Sequence, residues 1–254
     1  MKYINYNFEN VTSFLKFIGS RKESSVFSGR HLHSYEGDKS FTGTASYEDA
    51  TNLLKYGDKD KLKMIKKSLE KIQAKGNGHK TRRKVKTSIV GCVPHIPNYL
   101  QGMPECMIDI LKTKIKSSKV LNIVYNLSIP CSVKTEDMSI AGAKILSYVA
   151  SLEAQGYRVN LHVLWGTSTK DECVYSLIRI KSSDQYADLL KMAYPLVNTS
   201  MVRRHFFRYL EVCGVEDEKM YCGYGRPLRD LQEIKKLVKF DYYFDFKSAY
   251  ELVI

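Results

Sequence analysis

The stretch Val120-Leu121-Asn122-Ile123-Val124-Tyr125-Asn126-Leu127 decides the fold. It is mostly apolar and β-branched, as a strand covered on both faces is. A polar turn follows. Then Met138, Ala141, Ile145, Val149 and Leu152 recur at helical spacing between about Thr135 and Gln155, with Gly156 as the stop signal. Residues 158–165 then alternate with period two, and a further strand is expected from Cys173 to Lys181. Helices are expected over about 184–196 and 200–212. The order strand, helix, strand, strand, helix, helix implies an α/β layer with at least one parallel crossover.

Outward from this core the N-terminal part is less regular. A short strand over residues 2–8 precedes an amphipathic helix from Val11 to Ile18. A loop over 20–40 comes next. A second helix is expected from Tyr47 to Tyr56, capped by Ser46 and ended by Gly57. Residues 89–104 hold three of the six prolines and read as a specific Pro/Gly-rich turn, with helix resuming over 105–112. The chain is thus expected to divide near residue 118. The first part, 1–118, is then a mixed α+β region, and 119–254 an α/β domain with a C-terminal extension.

The 254 residues carry 40 Lys+Arg against 27 Asp+Glu, a formal charge of +13. The excess is local. Residues 55–88 hold thirteen basic side chains against Asp58, Asp60 and Glu70, or +10, which leaves +3 for the rest. Leu62, Ile65, Leu69 and Ile72 form one apolar stripe through this run. Lys63, Lys66, Lys67 and Lys71 lie on its other sides, and Lys80, Arg82, Arg83 and Lys84 follow Gly76-Asn77-Gly78. Such a helix and loop, with Arg203 and Arg204 as a second patch, is the footprint of phosphate-backbone contact. No aromatic residue lies between Gly57 and Ile96, so recognition through the run is electrostatic rather than by base stacking.

No stretch reaches eighteen uncharged apolar residues, and no secretory h-region opens the chain. A cytosolic protein with no membrane partner is therefore expected. The six cysteines form no Cys-x-x-Cys pair and are read as free thiols, with Cys173 and Cys213 in the core. His31-Leu32-His33 resembles the metal-binding histidine pair of rolling-circle nicking enzymes, with Tyr56 as the attacking residue. Its polar, turn-like surroundings favour surface histidines.

The segment Asn126-Leu127-Ser128-Ile129-Pro130, with the helix and strands after it, resembles the opening of a von Willebrand A-type domain. That family holds a divalent cation at Asp-x-Ser-x-Ser. The resemblance implies a three-layer Rossmann-like (von Willebrand A-like) core and places a divalent cation, if any, at Asn126 and Ser128. Asn126 replaces the aspartate and Pro130 the second serine; no other cofactor is implied.

The chain also looks like an uncharacterised bacteriophage and prophage family. The residues that carry this are Phe41-x-Gly43-x-x-Ser46-Tyr47-x-Asp49-Ala50, Gly91-x-x-Pro94-x-Ile96-Pro97-x-Tyr99-Leu100-x-Gly102-x-Pro104 and Arg203-Arg204-x-x-Phe207-Arg208-x-x-Glu211. This implies a viral product acting in the host cytoplasm. The expected function is non-enzymatic binding of nucleic acid or a nucleoprotein complex. One alternative is a scaffold that binds a host or phage protein through the Asn126/Ser128 face, in anti-defence or virion assembly. The other is a metal-dependent single-strand nicking enzyme.

Overall fold

In the computed structural model, five strands form one sheet in the order β1-β7-β6-β5-β8: β1 Lys2–Phe8, β5 Val120–Asn126, β6 Arg158–Ser168, β7 Glu172–Lys181 and β8 Tyr242–Phe244. The structure describes residues 1–63, 65–66, 85–91, 93–110, 119–130, 132–224, 226–228 and 239–252. Strand β5 lies parallel to β6 on one side and to β8 on the other. Strand β7 runs antiparallel to β6, and β1 closes the edge parallel to β7. The protein is therefore mixed α/β with a mainly parallel sheet.

Alternation along the strands explains how the sheet is covered. Leu121, Ile123 and Tyr125 of β5, with Val159, Leu161, Val163 and Trp165 of β6, point into the main core. Val124, Leu164, Cys173 and Tyr175 face the other way, into a smaller cluster with Leu228. Against the main core pack α1 (Val11–Ser20), α5 (Thr135–Ala154), α6 (Leu189–Val197), α7 (Phe207–Val212) and α8 (Phe246–Glu251). Among the described residues these helices share one face, so two layers are seen where three were expected. The expected stripe of α5 is buried throughout. Gly142 on this helix lets α6 approach: a Cβ there would lie 1.8 Å from the Leu196 carbonyl oxygen.

Local sequence rules account for several element ends. Asn10 caps α1 by accepting from the Ser13 N–H at 2.8 Å, and Phe14 and Ile18 bury one face. Ser46 caps α3 (Tyr47–Tyr56) through the Asp49 N–H at 3.0 Å, and Gly57 ends it at φ 95°. Between these helices lies α2 (Lys39–Thr42), a single capped turn at the end of the expected loop.

Two compact units are present, and they do not follow a boundary at 118. Met1–Gly76 joins Val120–Ile254 in the larger unit, because β1 pairs with β7 and α1 and α3 bury their apolar faces in the main core. Asn77–Lys119 forms the smaller unit. It contains a three-stranded antiparallel sheet, β2 (Val85–Ser88), β4 (Met107–Ile110) and β3 (Val93–Pro94), with the short helix α4 (Ile96–Leu100). Helix was expected over 105–112. Met107-Ile108-Asp109-Ile110 instead pairs with both neighbours, a fit between alternating β-branched residues and a pleated strand.

Candidate functional site

Among the described residues, the cations that the sequence singled out fall into two physically different sets. The first is internal. Met201–Phe206 forms a π-helical turn that runs into α7, and all six of its residues are buried. A helical segment buried all round turns even its arginines inward. Arg204 is fully buried and donates to the hydroxyls of Thr44 (2.9 Å) and Thr42 (3.2 Å) and to the carbonyls of Thr44 (3.1 Å) and Ser34 (3.3 Å). It thereby fixes the 34–44 segment to the helix. Arg203 donates to the Val133 carbonyl at 2.7 Å and stacks on Phe41, 4.0 Å from the ring centre.

Arg208 pairs with Glu23 at 2.6 Å and reaches Glu211 at 3.4 Å. The Arg208 guanidinium holds the Glu23 carboxyl below the ordinary carboxylate range. Buried Glu211 also accepts from the Ser34 hydroxyl at 2.6 Å and the Tyr224 hydroxyl at 2.7 Å. Burial, reinforced by this carboxylate, pushes the Tyr224 hydroxyl up, so it stays a donor. Lys181 is spent in the same way, on Glu153 and the Val159 carbonyl. Arg203 and Arg204 are therefore not the outward phosphate patch expected of them. Their forked donors hold the fold together.

The second set faces water. Asp58 opens a helical stretch at residue 59: its carboxylate accepts from the Lys61 N–H at 3.0 Å and from the Asn198 amide at 2.9 Å. Ile65 is fully buried while Lys63 and Lys66 are exposed. Ile65 of the stripe read from the sequence thus anchors the first part of the basic helix and leaves Lys63 and Lys66 outside, whereas half-buried Lys61 donates to the Ser139 hydroxyl at 3.0 Å. Lys67, Lys71, Lys80, Arg82, Arg83 and Lys84 lie outside the described residues.

Asn126 and Ser128 are buried at the end of β5. The Asn126 carbonyl oxygen accepts from the Ser128 N–H at 2.8 Å, and its amide donates to the Tyr243 hydroxyl at 2.9 Å. The Ser128 hydroxyl oxygen accepts from the Gly166 N–H at 2.7 Å, tying the loop to β6. Both side-chain oxygens are already engaged. Among the described residues no three His, Cys, Asp or Glu side chains converge as a metal site. This donor set fits a loop cap and not a calcium- or magnesium-type site, which takes six or more oxygens and usually a carboxylate among them.

The histidine pair is built into the surface. His31 pairs with Glu36, and His33 packs edge-on against Tyr224, with ring centres 4.7 Å apart. Tyr56 is exposed and lines an open cleft of about 650 Å³ with Asn52, Asp49 and Lys61. No described contact joins Tyr56 to either histidine. Cys173 and Cys213 are buried in the core, and burial pushes the Cys213 thiol up, away from nucleophilic use.

The family model described as Domain of unknown function (DUF7192) matches residues 2–251. The chain belongs to this family. No curated protein and no solved structure matches it. The DUF7192 match extends over both compact units and includes the buried arginines as well as the basic segment. Among the described residues, no helix of this DUF7192 chain is long and apolar enough to cross a membrane. Sequence reasoning missed the hub of Arg204, Arg208 and Glu211. Its signal was present in the i, i+3 pair Arg208/Glu211 beside an apolar Phe206-Phe207-Tyr209-Leu210 stripe, a pattern more typical of a buried helix than of a phosphate patch.

Proposed function

We propose that the protein is a non-enzymatic, phage-encoded binding protein of the host cytoplasm that contacts nucleic acid or a nucleoprotein complex through its basic segment. The observation that carries this reading is how the positive charge is divided. Arg203, Arg204, Arg208 and Lys181 are buried and satisfied internally, whereas Lys63 and Lys66 stand exposed beside a buried Ile65. In sequence the net positive charge is concentrated in residues 55–88, at +10 of the chain's +13. Phosphate contacts of this kind position a protein without reading bases.

The sheet supports a von Willebrand A-like reading of the core, since β6 and β8 flank β5 in parallel and β7 is antiparallel. A scaffold working through Asn126 and Ser128 has less support, because both are buried. The binding needs no metal and should persist in EDTA.

The test is gel retardation of a single-stranded oligonucleotide and of a duplex by the full chain. Charge reversal to Glu at Lys63, Lys66, Lys67, Arg82, Arg83 and Lys84 should abolish retardation. Retention equal to wild type would refute the proposal.

A further inference from the structure

The smaller unit carries a surface that electrostatics alone does not explain. Ile89 (71% exposed), Val90 (79%), Tyr99 (65%) and Leu100 (77%) stand in water, joined by Val93 and Ile96. They come from the β2–β3 connection and from α4, within a dozen residues of chain. Scattered apolar side chains are ordinary on a surface, but a run of this kind marks an interaction site.

The chemistry around the run says what it meets. Lys80, Arg82, Arg83, Lys84 and Lys86 precede it in sequence, and Lys112, Lys114, Lys116 and Lys119 follow it. Between them lie no lysine or arginine and only two acids, Glu105 and Asp109, so Asn77–Lys119 carries +7. The order is basic, apolar, basic.

A second copy of the same charge is repelled, so self-association is disfavoured. Nucleic acid matches the charge but offers aliphatic side chains nothing to stack on, and the run has only Tyr99 and His95 as aromatic rings. A protein hot spot is built from Trp, Tyr and Arg anchors in pockets, whereas this run is mainly Ile, Val and Leu on a loop and a single short helix. An anionic bilayer surface satisfies both halves. Its acyl boundary accepts aliphatic side chains without shape complementarity, and its anionic headgroups attract a segment whose sequence carries +7.

We infer that Ile89, Val90, Val93, Ile96, Tyr99 and Leu100 form the insertion tip of a peripheral binding surface for anionic lipid. Among the described residues no helix is long and apolar enough to cross a membrane, and the tip proposed here lies on the surface rather than across it. This goes beyond nucleic-acid binding and does not depend on it.

The experiment uses nuclease-treated full chain sedimented with vesicles of phosphatidylcholine mixed with phosphatidylglycerol, and with vesicles of phosphatidylcholine alone. Binding is expected to the mixed vesicles only. The triple variant Ile89→Ser, Val90→Ser, Leu100→Ser should weaken it at least about tenfold, as losing part of the transfer energy of three side chains predicts. These positions are exposed, so the fold tolerates the changes. The same variant should still bind oligonucleotides if the nucleic-acid proposal holds, and that arm fails or succeeds independently.

A second reporter is Val90→Trp, read against the buried Trp165. Its emission should shift to the blue on mixed vesicles. No binding to mixed vesicles, or equal binding by the triple variant, would overturn the inference. So would retention by an acidic protein surface with no vesicle binding.

Discussion

Arg204→Met separates a structural arginine from a phosphate-binding one. The substitution keeps the length and apolar stem but removes every donor of the guanidinium. Four bonds of 3.3 Å or shorter, to the hydroxyls of Thr42 and Thr44 and the carbonyls of Thr44 and Ser34, are lost. The Thr44 carbonyl keeps the Thr42 hydroxyl at 2.8 Å, but Ser34 is fully buried and its carbonyl loses this donor. At about 1 kcal/mol net for each bond, offset in part by no longer burying a charge, the loss is about 3 kcal/mol.

For a chain of this size that is a fall in Tm of roughly 6–12 °C. Urea unfolding followed by far-UV circular dichroism measures it. Below the transition, oligonucleotide affinity should be unchanged. Lys66→Met should behave in the opposite sense: no more than about 0.5 kcal/mol in stability, with weaker binding. If Arg204→Met unfolds at the wild-type urea concentration and binds oligonucleotide less well, the division into inner and outer cations is wrong.

Two further outcomes follow from the packing. Gly142→Ala should destabilise by about 2–4 kcal/mol in the same urea assay, because the new methyl would lie 1.8 Å from a backbone oxygen of α6 and the helices must separate. His205 lies fully buried between the Tyr194 hydroxyl (3.1 Å) and the Thr51 hydroxyl (3.3 Å). Burial, helped by the neighbouring Arg204 charge, lowers its pKa from the ordinary 6.5 to about 3. A histidine depressed in the folded state takes its proton on unfolding. Its contribution is complete above pH 6.5 and is lost as pH falls towards 3, by up to about 1.4 kcal/mol per pH unit. Comparing wild type with His205→Gln by urea unfolding at pH 7 and pH 5 should show the smaller pH dependence in the variant.

Much of the architecture was legible because local rules and tertiary context agree. Helix α5 announces itself through a stripe that is buried residue for residue, and α3 through Ser46 and Gly57 at its two ends. Strands β5, β6 and β7 lie close to where β-branched content and alternation put them. What the sequence could not carry is partnership over long separations. Nothing local to residues 2–8 says that they pair with 172–178, so the N-terminal part looked separate.

The same blindness reversed the reading of Arg203 and Arg204. Three arginines in six residues look like a phosphate patch until the acceptors that meet them, spread over residues 21–44 and at Val133 and Glu211, are brought alongside. Exposure was equally hidden. Ile89, Val90 and Leu100 have the composition of core residues, and only the fold leaves them in water.

The salt dependence of oligonucleotide binding tests the central claim most directly. Fluorescence anisotropy of a labelled single strand titrated with the full chain gives the affinity at each salt concentration. If about six cations of the 55–88 segment meet phosphates, log K should fall linearly with log salt with a slope of about −4. The charge-reversed chain should bind weakly at every salt concentration. A wild-type affinity that stays flat as salt rises would contradict the account.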